Sequence, residues 1–335
     1  MRWLILILCG LVAGAAPLMA PTPARAWGAL GHLTVCDLAY RNLTPTARAA
    51  LIELLNSRNG GTVVRNRDGV ELRRYTSFNV GCLEEDERPR KHASDHFLNV
   101  PRSTMAIAMT DCPGTGSCIL EGIQRDLTVL KDTSKSREDR VGALMALGHW
   151  MGDIHQPLHI SYKDDTGGNA IPVSVAGGCK AGSSPDNLHS VWDNCLLQAG
   201  MFQRVRQRAD FKPGWGPRTI TYRAVDTLLA NTTVTEEQAM AAGDPASWAN
   251  ESYQITVGKD VKYCALTPAA SPTSCAAIPL TAPATKLKLD QGYLGAFDKV
   301  AQDRVRLAGF RLAHLLNQAL DPAYTQPIRN GSQKA

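Results

Sequence analysis

Apolar residues recur at helical spacing along most of this chain. The windows Leu30 to Tyr40 and Pro45 to Leu55 each carry an apolar face with polar residues between. Thr44-Pro45 reads as an N-cap followed by proline at the first helical position. The same periodicity returns over Gly122 to Leu130, Arg137 to Ile154, Leu188 to Gln198, Arg218 to Leu229, Glu236 to Ala242 and Pro245 to Val257. A final stretch from about Asp290 to Leu320 keeps a stripe of Leu294, Phe297, Val300, Val305, Phe310, Leu312 and Leu316, the pattern of a core-facing helix. Ala170 to Val175, with Val and Ile between glycine-rich flanks, reads as a short strand. Residues 262–284, rich in Pro, Ala, Ser and Thr, read as a surface excursion pinned by a disulfide, and residues 321–335 as a tail. With no internal repeat and no second core pattern, the expectation is one all-α, mainly helical domain carrying a small β-hairpin.

The first residues change the picture of where this domain works. Arg2 precedes a short apolar run from Leu4 to Val12, and Ala24-Arg25-Ala26 is an A-x-A cleavage site, together a signal peptide over 1–26. The run is shorter than the roughly 20 apolar residues a bilayer span needs. Export to the periplasm or the medium is the expectation, and cleavage after Ala26 would make Trp27 the new amino terminus. With Arg2 and Arg25 removed, the 36 basic residues become 34 against 31 acidic ones, a net charge of +3. Bulk charge this small does not recruit polyanions, so any such attraction must come from local clusters such as Arg88, Arg90 and Lys91.

Cys9 leaves with the leader and eight cysteines remain, an even count that reads as disulfides in an exported chain. Cys112/Cys118 and Cys264/Cys275 are close enough in sequence to pair locally, and Cys179/Cys195 would close a loop around Asn187. That leaves Cys36 with Cys82, although sequence alone does not fix the connectivity. No pair has the two-to-four-residue spacing of a zinc–thiolate site.

The candidate chemistry lies in histidine and aspartate. Six of the eight histidines fall in three windows, the densest being His149-Trp-Met-Gly-Asp153-Ile-His155-Gln-Pro-Leu-His159. On a helix, His149 and Asp153 project from one face about 6 Å apart along the axis. Pro157 ends that helix near Gln156 and frees His159 to reach elsewhere. Asn187-Leu-His189-Ser-Val-Trp-Asp193 repeats the spacing, and His92-Ala-Ser-Asp95-His96-Phe97 adds an imidazole on extended chain. One helical His is ordinary core, and one such pair is an ordinary surface ion pair. Two pairs, a trailing His159 and His96 together point to a metal site. Nitrogen and carboxylate donors without thiolates favour zinc over calcium or magnesium, and six or more of them exceed what one tetrahedral structural ion consumes.

These motifs resemble the zinc-dependent single-strand nucleases of fungi, plants and bacteria, the S1/P1 type, which share the fold of phospholipase C. Trp27-Gly28-Ala29-Leu30-Gly31-His32 is similar to that family's mature start, His149 to His159 to its central metal helix, Gly167-Gly168-Asn169 to its loop motif, and Asn187 to Asp193 to its closing motif, in the same order. The resemblance implies three zinc ions. Trp27, through its free amine and carbonyl, and His32 would hold one, and Asp153 would bridge it to a second on His96 and His149. His159, His189 and Asp193 would hold the third, with His155 orienting a ligand from behind.

The family's further aspartate falls in Leu83 to Arg90, where Asp86 is the expected ligand and Glu85 the alternative. Asn99 stands where many members carry an acid beside the base. The implied reaction is phosphodiester hydrolysis of single-stranded RNA or DNA to 5′-nucleotides, with 3′-nucleotidase activity, by a protein that is a monomer without stable membrane association. Asp153 and Arg88 (or Arg90) would act on the reacting phosphate, Phe97 would stack a base and Asn169 would line the substrate site. The rival readings are a phospholipase C-type phosphodiesterase and a non-catalytic exported zinc-binding protein.

Overall fold

The computed structural model describes residues 27–56, 63–65, 71–73, 78–87, 89–114, 117–179, 186–230, 232–261 and 286–325. Residues 1–26, where a signal peptide is expected, Arg88, residues 262–284 with Cys264 and Cys275, and residues 326–335 lie outside the described residues. The chain is mainly helical. Helices α1 (Ala29–Arg41) and α2 (Pro45–Asn56) are followed by strands β1 (Val63–Arg65) and β2 (Glu71–Arg73) and the short α3 (Phe78–Gly81). Next come β3 (Leu98–Val100), α4 (Ile119–Lys131), α5 (Arg137–Asp153), β4 (Ile160–Tyr162) and β5 (Val173–Val175). A helical run follows as α6 (Leu188–Ser190), a π-helical segment (Val191–Cys195) and α7 (Leu196–Ala199). Then come α8 (Met201–Arg206), α9 (Pro217–Leu229), α10 (Val234–Ala241), α11 (Pro245–Thr256), β6 (Leu287–Leu289) and α12 (Gln291–Leu320).

Helix α5 is the centre. It starts at Ser136, whose hydroxyl caps the Asp139 N–H, and twelve of its residues from Val141 onward are buried. Ala143, Ala146, Gly148 and Gly152 keep it slim enough to be enclosed by α1, α4 and α12. Helix α12, about 45 Å long at 1.5 Å per residue, is the spine against which α1, α5, α7 and α10 pack. Its Gly309 touches Leu38 of α1 so closely that an added Cβ would lie 2.5 Å from Leu38 Cδ2. The predicted stripe is largely buried at Leu294, Val305, Phe310, Leu312 and Leu316.

The strands form three two-stranded pairs. β1 and β2 pair antiparallel, whereas β3–β4 and β5–β6 are parallel. The strand expected over Ala170 to Val175 shrinks to Val173–Val175 and pairs with β6, more than a hundred residues later, in place of a local partner. Its first residues serve the loop, since Leu188 N–H donates to the Ile171 carbonyl. Disulfides join Cys36 to Cys82, Cys112 to Cys118 and Cys179 to Cys195, as expected. Among the described residues, no helix is long and apolar enough to cross a membrane.

Candidate metal centre

Three elements deliver the donors of the first window group. His32 lies one turn into α1, and His149 and Asp153 sit one turn apart at the end of α5. Gly152 admits the His32 ring, because a Cβ there would lie 2.6 Å from its Nδ1. The His32 and His149 rings stack at 3.9 Å between centroids. The β3–β4 register, Leu98 opposite Ile160, sets the preceding residues side by side, and His159 Nδ1–H donates to the His96 carbonyl (2.5 Å). Two windows more than sixty residues apart thereby meet at one point.

The result is three neighbouring groups with one donor atom per residue: His32, His149 and Asp153; Asp86, His96 and His149; and His159, His189 and Asp193. Asp153 belongs to both sides of the first two. Its Oδ1 is 3.3 Å from His32 Nε2, and its Oδ2 is 3.0 Å from His96 Nδ1 and 3.4 Å from His149 Nε2. In the third group His189 Nε2 is 3.5 Å and His159 Nε2 3.9 Å from the Asp193 oxygens.

These spacings test whether the residues fit a metal. Tetrahedral bonds of 2.0–2.1 Å put neighbouring donors about 3.3–3.4 Å apart, longer than the ordinary hydrogen-bond optimum near 2.9 Å. His32 with Asp153, His149 with Asp153 and His189 with Asp193 lie at or near the ligand spacing. His96 falls at hydrogen-bond length from Asp153 (3.0 Å) and His149 (3.2 Å), and His159 is wider from Asp193 (3.9 Å). The orphaned atoms agree. Nε2 of His32, His159 and His189 and one oxygen each of Asp153 and Asp193 are buried without a hydrogen-bond partner, an arrangement that costs free energy unless a cation occupies the gap.

The rings are held from behind by backbone carbonyls. His149 Nδ1–H donates to Cys82 O (2.7 Å) and His189 Nδ1–H to Gly167 O (2.6 Å). Since a carbonyl only accepts, a proton sits on Nδ1 and Nε2 is the ring atom turned toward the group, the one a metal ligand would use. Gln156 donates from Nε2 to Asp193 Oδ1 (2.5 Å) and accepts from the Leu158 N–H, fixing both the carboxylate and the turn.

Electrostatics follow from burial. Burial, then the neighbouring His149, lowers His32 to about 4, and burial with His159 lowers His189 to about 3. Burial pushes the Asp193 carboxyl well up, and the nearby Asp153 adds to this. Burial opposes ionisation of Asp153 too, but His149 and His159 draw its carboxyl well below the usual range. Burial opposes the charged form of His149, yet Asp153 beside it prevails and raises it to about 9. An incoming cation would therefore displace a proton from His149 and ionise Asp193.

Other expected residues fall in different places. Asp86 joins His96 and His149 and is bound by Arg90, whereas Glu85 turns to His92 (3.0 Å). Trp27 is fully buried, and the following Gly28 N–H donates to Asp193 O (2.8 Å), so this segment lies against the third group. Phe97, beside His96, is 40% exposed. Asn99 is half-buried, its Oδ1 without a partner. Asn169 donates to Thr166 O and closes its own turn. The useful atom of its motif is the Gly167 carbonyl, presented at φ +66°. His155 orients no donor. Its Nδ1–H donates to Met151 O, and its Nε2 accepts from Arg311, one of two buried α12 arginines on Glu251. Cys112, Cys118 and Glu121 also converge, but both sulfurs are consumed in the disulfide.

Sequence reasoning missed Gln156, the Cys82 and Gly167 carbonyls and the arginine pair. Gln156 alone carried a signal, as a polar residue wedged between His155 and Pro157.

A slim central helix ringed by others, with three convergent His/Asp groups at its end, defines a helical protein whose donor clusters could hold metal ions. The S1/P1 nuclease family model matches residues 27–321, and the chain belongs to that family. Among its relatives, Endonuclease 2 of Arabidopsis thaliana is 31% identical over 184 residues, covering 51% of this chain and 56% of the relative. Nuclease P1 of Penicillium citrinum is 31% identical over 176 residues (51% and 58%), and Nuclease S1 of Aspergillus oryzae 29% over 182 (53% and 58%). The chain thus spans somewhat more than half the length of these relatives.

Proposed function

We propose that this protein is an exported zinc-dependent phosphodiesterase that cleaves single-stranded RNA or DNA to 5′-nucleotides and removes 3′-phosphates from nucleotides. Donors spaced for coordination, with their Nε2 atoms turned inward by backbone acceptors, carry the reading. Three zinc ions are the expected complement. His32 and Asp153, with the amine and carbonyl of Trp27, would hold the first. Asp86, His96, His149 and Asp153 would hold the second, and His159, His189 and Asp193 the third. Bound there, zinc supplies Lewis acidity toward phosphoryl oxygens and acidifies a water near neutral pH.

The chain's own residues do the remaining work. Asp153 offers one oxygen to each side and so fixes the spacing of the first two sites. Arg90, held on Asp86, or Arg88 would supply positive charge to the developing pentacovalent phosphate. The donors are almost wholly enclosed, so a duplex backbone cannot approach them without unpairing, whereas an unstacked base can lie on exposed Phe97. Such stacking contributes roughly 1–3 kcal/mol per base.

The test is metal analysis and hydrolysis by the mature chain beginning at Trp27, on single-stranded RNA and DNA, duplex DNA and phosphatidylcholine. About three zincs and selective cleavage of single strands are expected. One extra residue before Trp27 should remove one zinc and most activity. Preference for the phospholipid, or a metal-replete protein inert on every substrate, would overturn the reading.

A further inference from the structure

We propose that two of the disulfides are positioning groups for the metal centre, each securing a different set of donors; the inference rests on the metal reading above. Cys36 lies one turn after His32 on α1, and Cys82 precedes Asp86 by four residues. The Cys82 carbonyl accepts the His149 Nδ1–H, and the disulfide presses on α5 at Gly148, immediately before His149. A Cβ at Gly148 would lie 2.4 Å from Cys82 Sγ and 2.9 Å from Cys36 Sγ. One covalent link therefore touches the three segments that carry His32, Asp86 and His149.

The second link belongs to the other group. Cys195 ends the π-helical segment that bears Asp193, and its partner Cys179 lies just beyond β5. The sixteen-residue separation encloses both His189 and Asp193. Its enclosed segment meets the start of α1 at a backbone bond, Gly28 N–H to the Asp193 carbonyl, rather than at a donor side chain. The third disulfide, Cys112–Cys118, encloses no donor of any group and serves as the control.

Coordination by dispersed side chains requires their separations to be held within a few tenths of an ångström. Helix packing alone lets segments breathe; a covalent link across them narrows that range. Loss of each link should therefore weaken its own ions and spare the others. A purely stabilising disulfide would lower the melting temperature without sorting the metals.

The experiment uses the full mature chain in four paired or single forms: Cys36→Ser/Cys82→Ser, Cys179→Ser/Cys195→Ser, Cys112→Ser/Cys118→Ser, and Gly148→Ala with every disulfide intact. Each is checked for helicity, loaded with cobalt(II), and titrated with a chelator while its visible spectrum and bound-metal count are followed. Cys36→Ser/Cys82→Ser and Gly148→Ala are expected to bind the paired ions at least tenfold more weakly and keep the third. Cys179→Ser/Cys195→Ser is expected to do the reverse, and the control to match the parent. Should the first pair fail to fold, Gly148→Ala still reads the same site. Equal affinities in all folded forms, or loss of the same ions from both links, would overturn the proposal. A parent chain that binds no cobalt would instead overturn the metal reading itself.

Discussion

Gly167→Ala isolates the part played by the backbone carbonyl that opens the Gly167-Gly168-Asn169 motif. Gly167 sits at φ +66°, where an L-residue is disfavoured by about 1–2 kcal/mol. Its Cβ would lie 2.7 Å from the Leu158 carbonyl oxygen and 3.4 Å from His189 Nδ1. Leu158 O is backbone, one residue before His159, so it cannot swing aside. The loop must move, and with it the oxygen that receives the His189 proton at 2.6 Å. Losing such a support weakens metal binding about 10–100-fold, or ~1.4–2.8 kcal/mol. The assay is competition between the protein and a calibrated chelator for the ion at His159, His189 and Asp193, followed by cobalt absorbance. Stability should fall by about 2 kcal/mol, and one ion of the set should weaken. Gly167→Asn, which tolerates left-handed backbone better but carries the same Cβ, should weaken that ion equally with a smaller stability loss. Unchanged affinity in both variants would refute the claim that the carbonyl's position sets the ligand.

Asp153→Asn removes the carboxylate shared by two groups and should lower hydrolysis at least ~10³-fold, equivalent to ~4 kcal/mol of barrier, with loss of the paired ions by metal analysis. Retained stoichiometry would show that Asp153 does not bridge. Glu251→Gln strips the counter-charge from buried Arg304 and Arg311. Because Glu251 is itself half-exposed, a loss of about 2 kcal/mol in urea unfolding is expected, below the range for a fully buried pair. Metal-free protein should be most stable near pH 6.5. The lowered His32 and His189 contribute stability above their unfolded value of 6.5 that is lost as pH falls toward about 4 and about 3. The raised His149 contributes below 6.5, and its contribution is lost as pH rises through about 9. A melting temperature that climbs steadily from acid to alkaline pH would contradict this.

Local periodicity was enough to locate the long helices, because their stripes report burial directly. α2 and α12 begin within a residue of the expectation. The helix expected over Leu188 to Gln198 is interrupted by a π-helical turn at Val191–Cys195. A side-chain pattern does not encode a change in backbone hydrogen bonding, yet that turn positions Asp193. His149 and Asp153 stood out as candidate donors because imidazole and carboxylate are chemically distinctive, whereas His32 entered only through the family resemblance. The supports of the donors did not stand out, because Cys82 and Gly167 act through carbonyls that every residue possesses. Arg304 and Arg311 were hidden for another reason. Charged residues on an apolar stripe read as its polar edge until Glu251 and His155 are seen to meet them.

The closing helix has a consequence for the order of manufacture. α12 follows every candidate donor in the sequence, and its Arg304 and Arg311 grip the corner between Asp153 and His159. A chain arrested before Gln291 leaves one side of α1 and α5 wet and that corner unheld. Until α12 is made, the candidate donors therefore lack the scaffold that holds them together.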